Sequence, residues 1–171
     1  MDRVAAAANV SKRTLYLRFG SKDDLVMRAI EHGFSCHIFP ASSSRPPEGP
    51  VGERLLFAAT RMLNAALRPE VQYLNNLGDW AIENAPEVHQ RMNRMLHEGP
   101  VLLIRSILEQ AAAEGEIIVD DLDMTALFVF DALVRTPRYR VANAGEMANT
   151  PRAKRDYLDH TLRLLLKALA P

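Results

Sequence analysis

No stretch of the sequence alternates apolar and polar residues in the way that a half-buried strand does. The β-branched residues, which favour strands, are thinly spread. We therefore predict an all-α chain. Proline, glycine and helix-capping residues divide it into predicted helices at 2–8, 12–18, 22–38, 51–67, 70–84, 86–114, 121–135 and 151–170.

Residues 40–50 are rich in proline and serine, and we do not expect them to continue a helix. They divide the chain into an N-terminal segment 1–38, a linker 39–50 and a larger segment 51–171. Gly99 and Pro100 are expected to kink or split their helix, because proline lacks an N–H and crowds the preceding turn. Residues 136–149 are expected to be irregular.

Polar residues stand where several helices are predicted to begin. Ser11 is expected to cap the second helix, and Ser21 has the capping-box arrangement with Asp24 three residues later. Thr150 is followed by proline, which is favoured in the first turn of a helix. Asn9, between the first two helices, belongs to the few residue types that tolerate the left-handed conformation of a tight turn.

Composition limits the class of protein further. The chain has 171 residues, of which 48% are hydrophobic, a fraction typical of a globular protein. No apolar run reaches the roughly 18 residues of a membrane span, and the N-terminus does not have the pattern of a signal peptide. We therefore predict a cytoplasmic location. The single cysteine, Cys36, excludes an internal disulfide and a zinc site built on several cysteines.

The charges are unevenly placed. Lysine plus arginine and aspartate plus glutamate each number 21, so the formal net charge is zero. Residues 3–22 nevertheless contain five basic residues and no acidic one, and the remainder of the chain carries the opposite excess. A solvated surface would explain so small a cluster, but such asymmetry is also typical of a chain that binds nucleic acid.

Two short helices joined by a tight turn, over residues 2–18, have the pattern of a helix-turn-helix. The first turn of the second helix carries Lys12, Arg13 and Thr14, whose side chains suit base edges. Leu15 and Phe19 are four residues apart and would anchor the opposite face. The residues predicted to contact phosphates are Ser11, Tyr16 and Lys22.

This stretch resembles the DNA-binding signature of the TetR (tetracycline-repressor-like) family of bacterial transcriptional regulators. The resemblance covers residues 1 to about 30, and the rest of the chain is similar to the family only in its helix pattern. Asn9 stands where the family usually has glycine. The matching residues are Val4, Ala5, Ala8, Val10, Ser11, Thr14, Leu15, Tyr16, Phe19, Lys22 and Leu25.

The resemblance implies one difference at the start of the chain. Members of the family begin with a further helix that packs across the two of the motif, and this sequence begins at the second helix. Without that helix Val4, Ala8 and Leu15 lose a covering partner, at a cost of a few kcal/mol by the usual value of about 1.5–3 for each large apolar side chain. We therefore expect that the DNA-binding domain is truncated at its N-terminus.

The resemblance also implies a homodimer, in which the last two helices of each chain form a four-helix bundle. An apolar stripe on one helix would equally serve an intramolecular core. A dimer would place two recognition helices about 34–36 Å apart, the spacing of major-groove half-sites in a near-palindrome. The residues predicted at the interface are Met124, Leu127, Phe128, Leu158, Leu162, Leu165 and Leu169.

Methionine and aromatic residues of the larger segment could line a ligand cavity, although such residues are more often plain core. No cluster of charge that would complement an ionic ligand is evident in the larger segment, so the expected effector is small and largely apolar. Trp80 is the strongest candidate, because it is large and carries one N–H donor. The full set predicted to bind the effector is Phe57, Met62, Tyr73, Trp80, Met92, Met95 and Phe128.

Enzyme motifs are missing from the sequence, and we predict no catalytic residue, metal or cofactor. His32 and Cys36 share a helix face but lack further ligands for a metal. The predicted function is a ligand-responsive transcriptional regulator that releases its operator when a small molecule binds. The alternatives are a helical small-molecule-binding or protein-interaction domain that does not bind DNA and, more remotely, an enzyme.

Overall fold

The computed structural model describes residues 1–74 and 76–171, and these residues form helices joined by turns, with no strand among them. The all-α prediction is therefore confirmed. None of the helices in this part of the chain is both long and apolar enough to span a membrane. The helices are α1 (Asp2–Ala7), α2 (Lys12–Phe19), α3 (Lys22–Gly33), α4 (Phe39–Ser42), α5 (Val51–Ala66), α6 (Pro69–Asn84), α7 (Pro86–Leu96), α8 (Leu102–Ala113), α9 (Leu122–Phe130), α10 (Thr136–Ala142) and α11 (Pro151–Ala168).

Helix starts follow the predicted local chemistry. Ser11, Ser21 and Thr150 have extended backbones, and each side-chain oxygen accepts a hydrogen bond from the N–H three residues later. Asp121 caps α9 in the same way, with its Oδ1 2.9 Å from the Met124 nitrogen. Each bond satisfies an amide that has no partner within its helix. Asn9 adopts a φ of 53°, as its place in the turn between α1 and α2 predicts.

Three turns are π-helical and continue one helix into the next: Phe34–Ile38, His97–Val101 and Asp131–Arg135. The second contains Gly99 and Pro100, so the chain stays helical where the sequence predicted a kink or a split. The reason is the wider π-helical turn, whose backbone bonds span five residues instead of four and accommodate the proline ring.

Two further expectations about irregular segments are wrong. Helical structure extends through Ser42 into the predicted linker, and Thr136–Ala142 is helical where an irregular segment was expected. In both cases a proline, Pro40 or Pro137, lies in the first turn of its helix. Each proline also lies shortly after a π-helical turn, Phe34–Ile38 or Asp131–Arg135, and the wider turn accommodates its ring as it does that of Pro100.

Buried apolar residues form two clusters. The larger one joins α5, α8, α9 and α11 through residues that include Leu55, Leu108 and Leu158. The smaller one joins α3 and its π-helical extension to α6 and α7, with Ile30 and Phe34 buried against Ala81 and Val88. The N-terminal segment is thus attached to the rest of the protein through the outer faces of α6 and α7.

A buried arginine holds the start of α5 to the end of α8. Arg54 is 4% exposed, and its Nη2 lies 3.0 Å from Glu114 Oε2 and also donates to Glu116 Oε1. Glu116 Oε2 accepts the Val51 N–H at 2.8 Å, which satisfies an amide in the first turn of α5. Hydrogen bonding from Gln110 and the nearby Arg54 guanidinium lower the pKa of Glu114. Glu114 therefore remains charged beside the guanidinium at neutral pH.

We expect Arg54→Ala to lower the free energy of unfolding by about 2 kcal/mol or more, measured by urea denaturation. The loss is smaller than that of a fully buried pair, because Glu114 and Glu116 keep contact with water. The matched control is Arg152→Ala, which removes only an exposed pair with Asp156 on α11 and should cost at most about 0.5 kcal/mol. Equal denaturation midpoints for the two variants would contradict the role of Arg54.

Candidate nucleic-acid interface and effector cavity

Helix α2 exposes one face and buries the other. Leu15 is 6% exposed and Phe19 is half-buried, so both anchor the helix as the sequence predicts. All six residues predicted to contact DNA are on the exposed surface: Ser11, Lys12, Arg13, Thr14, Tyr16 and Lys22.

Several of these polar groups already have partners within the protein. Ser11 Oγ lies 2.8 Å from Thr14 Oγ1, and it also caps α2. Lys12 Nζ lies 3.0 Å from Asp2 Oδ1, and the hydrogen bond and charge of Asp2 raise the pKa of this lysine. Arg13 forms no ion pair with the residues that the structure describes. Of the cations in the first turn of α2, Arg13 is therefore the one available to a base edge or phosphate.

Lys22 begins α3, and its Nζ lies 5.6 Å from the centroid of the Trp80 ring on α6. Such a cation–π contact is worth about 0.5–1 kcal/mol at an exposed site. Trp80 is 40% exposed and lies outside the effector cavity described below, so the structure corrects its predicted position. It joins the N-terminal segment to α6 instead, a contact that no local sequence pattern could have revealed.

A cavity of about 340 Å³ lies among α5, α6, α7, the third π-helical turn and α10. This is near the lower end of the range for small-molecule sites, roughly 300–1,000 Å³. The lining is mostly apolar, and Met92 contributes both to the cavity and to the cluster that holds α3. Its large apolar lining residues are Ile38, Met62, Val71, Ile82, Met92, Leu96, Phe130 and Val134.

Only two of the residues predicted to bind the effector, Met62 and Met92, line this cavity. The prediction is corrected for the others because their helices turn those side chains elsewhere. Phe57 lies below the Arg61 guanidinium on another face of α5, and Met95 packs against the cluster that holds α3. Tyr73, Trp80 and Phe128 are exposed.

The cavity lining also contains polar groups, which the sequence did not reveal. His89 Nε2 and Asn93 Nδ2 on α7 lie 3.0 Å apart. Arg135 Nη1 lies 3.2 Å from Asp131 Oδ1. The polar lining residues are Asp79, His89, Asn93, Arg135 and Arg138. They come from four elements, so no single segment contains a recognisable cluster of charge.

All three π-helical turns reach the cavity. Ile38, Pro100 and Val134 each belong to a different one of them and each line the wall. Turns of this kind are rare and occur often at functional sites. The convergence of three such turns therefore marks the cavity as a candidate functional site, independently of its volume.

A second candidate surface lies on α9 and α11. Met124 and Phe128 are exposed on α9, and Leu164 is exposed on α11. Leu127, Leu165 and Leu169 are partly buried against the larger cluster. Leu158 and Leu162 are 1% and 5% exposed, so the structure corrects their predicted place at an interface. They hold α11 within the core of their own chain, and no local pattern distinguishes Leu164 as the leucine of this helix that is exposed.

His32 and Cys36 are neighbours, as their spacing predicts, with the sulfur 3.7 Å from each ring nitrogen. Within residues 1–74 and 76–171, however, no group of three or more histidine, cysteine, aspartate or glutamate residues is arranged to hold a metal ion.

Solved structures similar to this chain include those of bacterial regulators. A protein of Mesorhizobium loti assigned to the TetR family has 18% identity and a TM-score of 0.75, over 98% of this chain and 85% of its own. FrrA, a flavonoid-responsive regulator, has 25% identity and a TM-score of 0.72, over 100% and 86%. PfmR, a TetR-family regulator of Thermus thermophilus, has 16% identity and a TM-score of 0.67, over 98% and 84%.

The sequence itself matches one family description. Residues 1–29 match the model of the bacterial regulatory proteins of the tetR family, and these residues hold α1, the turn, α2 and the start of α3. No curated protein matches the sequence significantly. The chain is thus similar to this family over residues 1–29, and over nearly its whole length it shares the fold of solved regulators such as FrrA.

Proposed function

We propose that the protein is a dimeric repressor that binds a near-palindromic operator through α2 and releases it when a small, largely apolar effector enters the cavity. One observation carries the proposal: α6 and α7 line the cavity on one side and hold α3 on the other. A ligand that moves these two helices therefore moves the helix that directly follows the recognition helix.

The contacts between α3 and its support are close enough to transmit such a movement. Gly33 on α3 lies against Leu74 on α6, and a Cβ atom there would overlap the leucine side chain. Glu31 on α3 forms an ion pair with Arg91 on α7. Because α3 is closely packed against α6 and α7, a shift of either helix moves α3 and, with it, the adjoining α2. Effector binding then lowers DNA affinity by the difference in its affinity for the two arrangements.

A dimer supplies the second recognition helix that a near-palindrome requires. The exposed side chains of Met124 and Phe128 on α9 and of Leu164 on α11 support an interface on these two helices, since large apolar side chains at a surface are typical of interaction sites. The likeness to a flavonoid-responsive regulator supports response to a small molecule. A protein of this function acts on DNA in the bacterial cytoplasm.

A second candidate is a helical ligand-binding or protein-interaction module that does not bind DNA. It is favoured by the exposure of Val4 on α1, Val10 in the turn that follows and Leu17 on α2, of which Leu17 is 78% exposed. Exposed apolar groups beside the proposed DNA surface suit a protein partner better than a phosphate backbone.

DNA binding is tested with two variants and the DNA upstream of the protein's own gene, by fluorescence anisotropy. Arg13→Ala should weaken binding by about 1–3 kcal/mol and relax preference at one base position. Lys22→Ala should weaken binding to all sequences alike. It should also reduce, by about one unit, the slope of the logarithm of the binding constant against the logarithm of the salt concentration.

The matched control is Arg152→Ala, which also removes one positive charge but at an exposed position on α11. It should leave both the DNA affinity and its dependence on salt unchanged. Absence of DNA binding by the unaltered chain would reject the repressor proposal in favour of the second candidate. Identical effects of Arg13→Ala and Lys22→Ala on every sequence would contradict the assigned roles.

Dimerisation is tested by sedimentation velocity. Phe128→Glu should convert the dimer to monomer, because it places a charge in the apolar centre of the proposed interface. Tyr73→Glu alters an equally exposed aromatic residue on α6 and should leave the dimer intact. Dissociation by both variants, or by neither, would show that α9 is not the interface.

A further inference from the structure

We propose that the effector is a small amphipathic acid whose carboxylate is bound by Arg138 and whose apolar body fills the rest of the cavity. This inference rests on the proposed function, since it names the class of molecule that would act at the same site. The sequence predicts a largely apolar effector, and the structure adds Arg138 as a charged residue of the cavity lining.

Arg138 is held in place by its backbone. It lies in the first turns of α10 directly after Pro137, which is fully buried. Its guanidinium lines the cavity and is partly buried, and it makes no ion pair within 4.0 Å with the described residues. A fixed cation with a free planar edge is suited to a carboxylate, which accepts two parallel N–H bonds.

Two other charged groups lie near Arg138. Asp79 is exposed, and Arg135 is paired with Asp131. Burial lowers the pKa of Arg138, nearby Asp79 raises it, and Arg135 lowers it by less than Asp79 raises it. Asp79 thus favours the charged form of the guanidinium without forming an ion pair with it, so Arg138 keeps its charge and has no carboxylate partner among the described residues.

His89 is the remaining titratable group of the lining, and its Nε2 is occupied by Asn93. This leaves Arg138 as the principal partner for a charged ligand group. The rest of the wall consists largely of methionine and aliphatic side chains, such as Met62, Val71 and Ile82. Such a wall stabilises an apolar body in proportion to the surface that it removes from water.

The inference is tested with matched pairs of ligands that differ only in the acid group. Calorimetric titration of the full chain compares decanoate with decan-1-ol, and 4-phenylbutyrate with 4-phenylbutan-1-ol. Each acid should bind at least about tenfold more tightly than its alcohol, the increment expected from a charge-assisted bidentate contact. Equal affinities within both pairs, or no binding of either acid at millimolar concentration, would overturn the inference.

The variants Arg138→Met and Arg138→Lys test whether Arg138 causes the preference for the acid over its alcohol. The first should abolish the preference for acid while leaving alcohol affinity unchanged, and the second should retain part of it because it keeps the charge. Arg152→Met, far along the chain on α11, should preserve the preference in full. If circular dichroism shows that Arg138→Met does not fold, Arg138→Lys provides the test instead, and its preference for the acid should lie between that of the unaltered chain and none. An undiminished preference in the folded variant overturns the inference.

Release of DNA separates this inference from the function on which it rests. Acid binding that depends on Arg138, without any change in operator affinity, would support the ligand class and reject the effector role. Release of operator DNA by the alcohols and the acids alike, with equal affinities, would support the effector role and overturn the ligand class.

Discussion

Ile30 and Phe34 are among the most completely buried side chains of the protein, and α6 and α7 are the helices that bury them. These two helices must therefore be apolar on two faces, one towards α3 and one towards the cavity. Each face removes apolar surface from water at about 25 cal/mol per Å². The position of α3 and the shape of the cavity both depend on this double burial, and the proposed coupling between cavity and DNA rests on it.

Features set by neighbouring residues were predictable from the sequence. Ser11, Ser21 and Thr150 cap helices because their side chains reach an amide three residues away, and Asn9 adopts the left-handed turn for which its side chain is suited. The DNA-binding segment is recognisable for the same reason, since its exposed cations and buried anchor lie within two turns of one helix.

The cavity was much less predictable, because it is assembled from distant segments. Asp79 and Arg138 come together only when α6 and α10 pack, and neither has a local partner that signals the site. Within Leu164, Leu165 and Leu166, hydrophobicity alone cannot decide which leucine faces outward. The five basic residues within residues 3–22 were also an incomplete guide to the local charge. Asp2 lies one residue before that stretch and pairs with Lys12 in the folded protein.

The three π-helical turns widen the cavity wall at three points. Each turn contains one residue more than the α-helical turn that it replaces. One residue corresponds to about 1.5 Å along a helix axis and a rotation of about 100°. Because Ile38, Pro100 and Val134 lie on such turns, the helix that follows each of them is offset by that amount from the register of an uninterrupted α-helix.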